Sequence, residues 1–512
     1  MTDSGDGFGK SDKEKALHVK SRIIGASIWS FISSAATQIS TFIIFIVLAR
    51  LLGPADFGVV AFAAIFIDLS RGVMLGGIPE ALIQRLEWHD DVAQTAFWIN
   101  VVGSIAFVAT ICLVCTVLIN VQAGSTLPLL VSALSATLLI DALRAVHEAR
   151  LRREFRYRAL ATRTVMATIV GGIIGIICAL GGMGVWALVI NRIASSILQT
   201  LIMWSAASFR PRFYMNMTEA KILASFGAQV LSSRLLAQVN TRLPDFIIGA
   251  VAGSAALGVY RVGSRSLNFL VQTMITPIQS TALSAFSRLE SPPAVARAYS
   301  RFTQICATIT FPAFFGAAAI AEEFIDIFFG SQWHMSAPIM SILALGVIAT
   351  TILQFFQSAM QSVGRPRSGI STEVARLASG LVFIGSLSIF GPLAAAAGDT
   401  VRKYVALPQS LKTLRQELGL QPSLLLKGLA PPLLCAIAMA SLLFLLKFFA
   451  LDGQSHLGRL VLLVTAGAIA YPVLMLCFGR GFLQDMLESI EQAFPPSLGR
   501  LMRLAVGSHR KA

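Results

Sequence analysis

Apolar residues in this chain come in blocks of roughly 20, the length a helix needs to cross the hydrocarbon core of a bilayer. In hydrocarbon every backbone N–H and C=O has to be paired within the chain, and a helix does this segment by segment. Of the 512 residues 55% are hydrophobic and only 13% charged, against about 25% charged in an average soluble domain. That balance leaves too little polar surface for a water-soluble globule and predicts an all-α polytopic membrane protein. About fourteen spans can be read, beginning near Ile23, Phe57, Val92, Thr126, Thr162, Gly184, Ile222, Leu257, Phe302, Ser336, Ser368, Phe390, Leu425 and Leu457. The twelfth, "FGPLAAAAGDTVRKYVAL", is only weakly apolar.

The formal net charge of +15 could point to nucleic acid, but its distribution points to cytoplasmic loops beside anionic lipid. If the basic amino terminus, with Lys10, Lys13, Lys15, Lys20 and Arg22, lies in the cytoplasm, so does the fourth connection, "RAVHEARLRREFRYRALATR". Other connections expected inside carry Arg210 and Arg212, Arg288 and Arg297, Arg365 and Arg367, then Arg402, Lys403, Lys412 and Arg415. Those expected outside, such as "VQAGS", "GGMG" and "AGSAA", are short and nearly bare. Arg50, Lys447 and Arg459 are exceptions near span ends, where long side chains can reach an interface. The asymmetry fits an even number of spans with both termini inside. For the fourth connection a topology anchor is the plainer account, and docking of partners or lipid the sharper one.

The chain repeats itself. At an offset of 200, "SSAATQIST" (Ser33 to Thr41) meets "SRLLAQVNT" (Ser233 to Thr241), with Ser33 on Ser233, Gln38 on Gln238 and Thr41 on Thr241. The same register carries "LLGPADFGVV" onto "VAGSAALGVY", aligning Gly53 with Gly253 and Gly58 with Gly258. Matches in Gln, Ser, Thr and turn glycines are harder to obtain by chance than matches in Leu and Ala. The organisation expected is a basic tail (1–22), a six-helix lobe (23–208), a cytoplasmic linker (209–221), a second six-helix lobe (222–410), a cytoplasmic loop with an extra helix pair (411–480) and a tail (481–512). Parallel repeats of this kind form an interface where transporters place their substrates.

Polar residues mark the first helix of each copy. Ser27, Ser30, Ser34, Thr37 and Thr41 share one helix face; the matching face of the second copy carries Arg234, Gln238, Thr241 and Arg242. Arg261 and Arg265 lie one turn apart in the eighth span and Arg192 within the sixth. Ionisable groups at membrane depth are tolerated where wet or paired. Arg234, Arg265, Arg192, Arg261 and Arg242, with Gln38 and Gln238, are therefore the expected substrate-binding residues, while Asp68, Glu373 and Asp399 are candidates for coupling to an ion or, equally, paired structural residues. Local pairing is the ordinary alternative for Arg242 with Asp245 and Arg71 with Asp68, each three residues apart. Arg234, Arg261 and Arg265 have no carboxylate at helical spacing, and Arg261 could also reach an interface.

Other motifs are weak. "SGDGFGKS" lacks the first glycine and one spacer residue of a phosphate loop, and no strand precedes it. "CLVC" within a span reads as small hydrophobes rather than half a metal site. The six histidines form no sequence-local metal motif, and no cleavable leader is apparent. Pro79, Pro244, Pro277, Pro312 and Pro338 interrupt apolar stretches and could be hinges or static kinks. No cofactor, soluble catalytic domain or enzymatic activity is expected.

"LARLLGPADFGVVAFAAIFIDLSRGVMLGGIPEALIQR" resembles the signature of bacterial polysaccharide flippases, the Wzx-like group of the multidrug/oligosaccharidyl-lipid/polysaccharide exporter superfamily. "LGVYRVGSRSLNFLVQTMITPIQSTALSAFSRL", "FFGSQW" and "QSVGRPR" are similar to it as well, and the similarity runs from Ile23 to about Lys412. Arg71 and Pro79 depart from the more neutral, glycine-rich segment expected there. The resemblance implies twelve to fourteen helices in two pseudo-symmetric bundles around a central cavity, here with two extra C-terminal helices. It implies transport, by alternating access, of undecaprenyl-diphosphate-linked oligosaccharide units across the bacterial inner membrane for exopolysaccharide or lipopolysaccharide. The partners it implies are that lipid-linked substrate, membrane lipid, and polymerase and chain-length or export proteins, without nucleic acid. A cation-coupled multidrug exporter of the same superfamily and a membrane-bound polymerase or ligase are the alternatives.

Overall fold

A computed structural model describes residues 34–74, 77–85, 88–121, 126–154, 156–289, 291–449 and 455–491. Its regular structure is helical. The helices are α1 (Ser34–Leu51), α2 (Pro54–Met74), α3 (Ile78–Gln84), α4 (Asp90–Val121), α5 (Leu127–Arg153), α6 (Tyr157–Leu180), α7 (Val185–Ala206), α8 (Met217–Val251), α9 (Ser254–Leu270) and α10 (Thr276–Phe286). They continue with α11 (Pro292–Ala319), α12 (Ala321–Phe328), α13 (Ser336–Ala344), α14 (Val347–Leu353), α15 (Phe356–Ser362), α16 (Ile370–Ser388), α17 (Pro392–Leu418), α18 (Pro422–Phe449), α19 (His456–Phe478) and α20 (Arg480–Glu491).

Among the described residues ten helices are long and apolar enough to span a membrane, or eleven if the bent pair Ser336–Ala344 and Val347–Ser362 is one span. The reading of about fourteen was larger. Part of the difference is chemical: α8, α9 and α17 occupy expected spans but carry Arg242 and Asp245, Arg261 and Arg265, and Asp399, Arg402 and Lys403 respectively. Charge at that density marks helices that face polar surroundings or one another.

Contacts divide the chain into two units, the described residues of Met1–Leu52 with Val59–Gln238, and of Gly53–Gly58 with Val239–Ala512. In the first, α5 is the central post. Leu130, Leu134, Leu138, Ala142 and Val146 recur every fourth residue, so they share a stripe, and all are buried. The Leu130–Leu138 part packs on Ala63 and Ile67 of α2 and Val189 of α7; Val146 packs on Ala96 and Phe97 of α4 and on Phe209. Helices α6 and α7 meet through small residues, as lipid-bathed helices tend to, with Gly171 against Ser195 and Gly175 against Asn191.

The basic fourth connection turns out to be mostly helix. α5 runs on to Arg153 because Arg152 pairs with Glu148 at 2.6 Å and Arg150 with Glu154 at 3.0 Å, both one turn apart. Arg153 Nη1 donates to the Arg85 carbonyl at 2.6 Å, and the Trp88 ring sits 5.5 Å from the Arg150 guanidinium.

In the second unit α16 lies on α17 and α11 on α18. Lys447, expected to reach an interface, instead ties α18 to α12 through Glu322 at 2.7 Å and Glu323 at 2.9 Å. The Lys447 hydrogen bond holds the Glu322 carboxyl below its ordinary pKa, so the tie outlasts mild acid and weakens as pH falls through that lowered value. Two of the expected hinge prolines do not interrupt helices: Pro79 lies in the first turn of α3 and Pro338 in that of α13, where a missing N–H costs nothing. Pro277 sits inside a continuous helix, directly after the wide turn Val271–Ile275 that joins α9 to α10. Pro244 and Pro312 do sit inside α8 and α11.

Close approach of α17 to α16 rests on Gly398, where a Cβ would lie 2.6 Å from the Phe383 carbonyl oxygen. A backbone atom cannot swing aside. Gly398→Val should therefore destabilise the protein by about 1–3 kcal/mol, as overpacked cores do. A lowered melting temperature in detergent, with Gly398→Ala losing less than Gly398→Val, is the expected reading.

Candidate functional site

Two cavities carry the polar chemistry, one in each unit. In the first, helices α2, α5 and α7 bring three arginines and two aspartates together. Asp68 of α2 pairs with Arg192 of α7 and lies 3.7 Å from Arg71. Arg71 Nε is 2.7 Å from Asp141 Oδ2 of α5, and Arg144 Nη2 is 2.9 Å from Asp141 Oδ1. The Ser196 hydroxyl donates to the same Asp141 oxygen at 2.8 Å, and Arg144 also reaches Gln199. With only 1% of its surface exposed, Asp141 is a buried anion whose charge is answered by two guanidinium groups. The adjoining cavity, about 290 Å³, is lined by Arg71, Arg144 and Arg152 against Glu80, Asp141 and Glu148, an even balance of charge.

The second cavity is different in sign. It is larger, about 460 Å³, and its lining includes Arg242, Arg261, Arg265, Arg376, Arg402 and Lys403 against Asp245 and Asp399. Arg261 Nη2 and Arg242 Nη1 share one oxygen of Asp245, at 2.8 and 3.6 Å. Arg402 and Lys403 share buried Asp399, at 2.7 and 3.2 Å. Arg376 pairs with Glu373 at 3.0 Å, and Asn240 donates to the other oxygen of that carboxylate at 2.8 Å. Arg402 Nη1 donates in turn to the Asn240 carbonyl at 3.2 Å, so the pairs are cross-braced between α8, α16 and α17. Two carboxylates in the lining and Glu373 behind Arg376 still leave three of the six positive charges uncancelled, in surroundings where Coulomb terms are stronger than in bulk water.

Most of the residues expected from sequence fall on these two clusters. Arg242, Arg261 and Arg265 line the second cavity, with Asp399 beneath them and Glu373 behind Arg376. Gln238 lines the first cavity and donates to the Asp68 carbonyl at 3.1 Å. Arg192 is held by Asp68, while Gln38, half-buried on α1, lines neither cavity. The side chain of Arg234 lies outside the described residues. Arg261 does find a carboxylate, on α8 rather than at helical spacing on its own helix, and this pairing replaces the reach to an interface. Asp68, Glu373 and Asp399 are all engaged by guanidinium groups. Sequence reading missed Asp141, Arg144, Arg376, Arg402 and Lys403 as site residues. An aspartate three residues before an arginine in "LLIDALRA" was the available signal for the first pair.

One further cluster draws a histidine into view: ligand atoms of Glu322, Asp326 and His334 lie within 4.8 Å of one another. Glu322 is already bonded to Lys447 and the His334 Nδ1 lies 3.4 Å from Asp326, so the group reads as a surface ion-pair network.

A family model described as "Polysaccharide biosynthesis protein" matches residues 47–338. The chain is 22% identical over 467 residues to the succinoglycan biosynthesis transport protein ExoT of Rhizobium meliloti (strain 1021), covering 90% of this chain and 94% of ExoT. It is 21% identical over 478 residues to the teichuronic acid biosynthesis protein TuaB of Bacillus subtilis (strain 168), covering 89% and 96%. Among solved structures the lipid II flippase MurJ in an inward closed conformation matches with a TM-score of 0.73 at 13% identity, over 90% of this chain and 100% of MurJ. At that identity the match speaks for the fold.

The buried anion in the first unit yields a direct expectation. Asp141→Asn leaves Arg71 and Arg144 facing a neutral amide, and breaking a buried pair from one side costs on the order of 3 kcal/mol. Detergent melting curves should show that loss, and Arg71→Leu combined with Asp141→Leu should lose less than Asp141→Leu alone.

Proposed function

This chain belongs to the polysaccharide biosynthesis protein family, and on that premise we propose that it is a flippase for lipid-linked oligosaccharides. The substrate in this reading is an undecaprenyl-diphosphate-linked repeat unit destined for exopolysaccharide or lipopolysaccharide. It crosses the bacterial inner membrane by alternating access, its headgroup presented to one side at a time, with both termini of the carrier in the cytoplasm. Polymerase and chain-length or export proteins of the same pathway are the partners that would consume the delivered units.

The observation that carries the proposal is the charge of the second cavity, six cations against two carboxylates. A diphosphate needs several donors at once, and arginine offers them in a planar fork while staying charged at any physiological pH. Pairing with Asp245, Asp399 and Glu373 supports the same role, because it orients the guanidinium groups before the substrate arrives. The relatives whose names mention succinoglycan transport and teichuronic acid, and the lipid II flippase of like fold, support a polyanionic lipid-linked cargo. As coupling groups, Asp68, Glu373 and Asp399 would act by exchanging a guanidinium for a proton or metal ion.

A cation-coupled multidrug exporter would meet its substrates with a surplus of carboxylates, the reverse of the balance found here. A membrane-bound polymerase or ligase is the alternative from a different class, and glycosyl transfer to an acceptor sugar by the purified protein would favour it.

The test is polymer export by cells carrying Arg265→Ala or Arg376→Ala at parental protein level. Each lost charge-assisted contact is worth about 1.5–3 kcal/mol, so export should fall at least about tenfold, with Arg376→Lys in between. Parental export by both alanine variants, or ethidium efflux by the purified protein in vesicles, would count against the flippase reading.

A further inference from the structure

The helix that follows Leu270 is wound too wide. Val271–Ile275 is a π turn joining α9 to α10, and π turns within α-helices are frequent at functional sites. Val271 lines the second cavity, and so does Gln279, eight residues further on. On an uninterrupted α-helix those eight residues turn through roughly 800°, leaving Gln279 about 80° away from the face of Val271. A π turn advances only about 82° per residue, so its five residues take back roughly 90° and bring Gln279 into line with Val271, away from the edge of the face that carries Arg261 and Arg265.

Gln279 is met there by Gln354, at the end of α14. The Gln354 amide donates to Gln279 Oε1 at 2.6 Å, and the Gln279 amide donates to the Gln354 carbonyl at 3.1 Å. Asn268 and Gln357 line the same cavity. Four uncharged carboxamides therefore share a space with the cationic cluster, alongside the apolar side chains of Phe314 and Leu353. Carboxamides contribute little to holding a phosphate beside six cations. Each offers both a donor and an acceptor, which is what a sugar hydroxyl pairs with, and neighbouring apolar side chains suit the C–H faces of a pyranose.

We propose that Asn268, Gln279, Gln354 and Gln357 form the subsite that reads the sugar attached to the diphosphate, with the π turn setting Gln279 in place. This inference rests on the flippase reading and adds to it the residues that set sugar specificity. A site built to hydrogen-bond a hydroxyl rejects a ligand lacking it strongly, because its own polar groups are then left without partners.

The experiment uses the purified full chain in nanodiscs and two kinds of probe: bare undecaprenyl diphosphate, and the same carrier bearing a single glucose, galactose or N-acetylglucosamine. The parent should bind at least one glycosylated probe about tenfold or more tightly than the bare carrier. Gln279→Met combined with Gln354→Met keeps side-chain length and removes the hydrogen bonds. It should bring that preference to within about twofold of unity while leaving the bare-carrier Kd within about twofold of the parent. If the double variant is not recovered folded, Gln357→Met, at an exposed position, gives the same comparison and should show a partial loss of preference. A parent without preference for any glycosylated probe, or a folded variant that keeps the preference, overturns the sugar subsite. Failure of the folded parent to bind the bare carrier overturns the flippase reading itself.

Discussion

A guanidinium among apolar helices costs several kcal/mol unless a carboxylate, a carbonyl or water answers it. The interior of this protein is arranged around that requirement. In the first unit Asp68 and Asp141 hold Arg192, Arg71 and Arg144, drawing α2, α5 and α7 to one point. In the second, Asp245 ties α8 to α9, while Glu373 and Asp399 pair within α16 and α17 and are joined to α8 through Asn240. The two clusters differ in what is left over. Near-neutrality in the first suits a structural joint; a positive surplus in the second suits an anionic headgroup.

Segments that dissolve in lipid announce themselves, so the all-helical, multi-pass architecture was legible from apolar block length alone. Charged helices were harder: α8, α9 and α17 are too polar to count as spans by composition, and it is their charges that build the site. Pairs within one helix, such as Arg242 with Asp245 and Arg71 with Asp68, follow from a three-residue spacing. Pairs between helices do not. Arg261 and Asp245 are sixteen residues apart, and Arg192 and Asp68 are 124 apart. No local pattern connects them, since only packing sets the register between helices.

The carboxamides illustrate a second limit. Glutamine in an apolar stretch gives no periodic signal, and Pro277, just past the π turn, marks an interruption without telling that helix phase shifts by a quarter turn. Asp141 was passed over for another reason. It lies at the edge of the arginine-rich stretch first read as a loop, whereas in the structure α5 continues through that stretch as helix.

That continuation of α5 has a mechanical consequence. Arg150, Arg152 and Arg153 form a collar at its end. Sliding the helix one turn along its axis, into the bilayer, would carry three guanidinium groups about 5.4 Å towards hydrocarbon, where their cost rises with depth. Their carboxylate and tryptophan neighbours would have to follow. The collar thus opposes a piston stroke of the helix into the bilayer and favours a tilt or a swivel as the movement of the first unit.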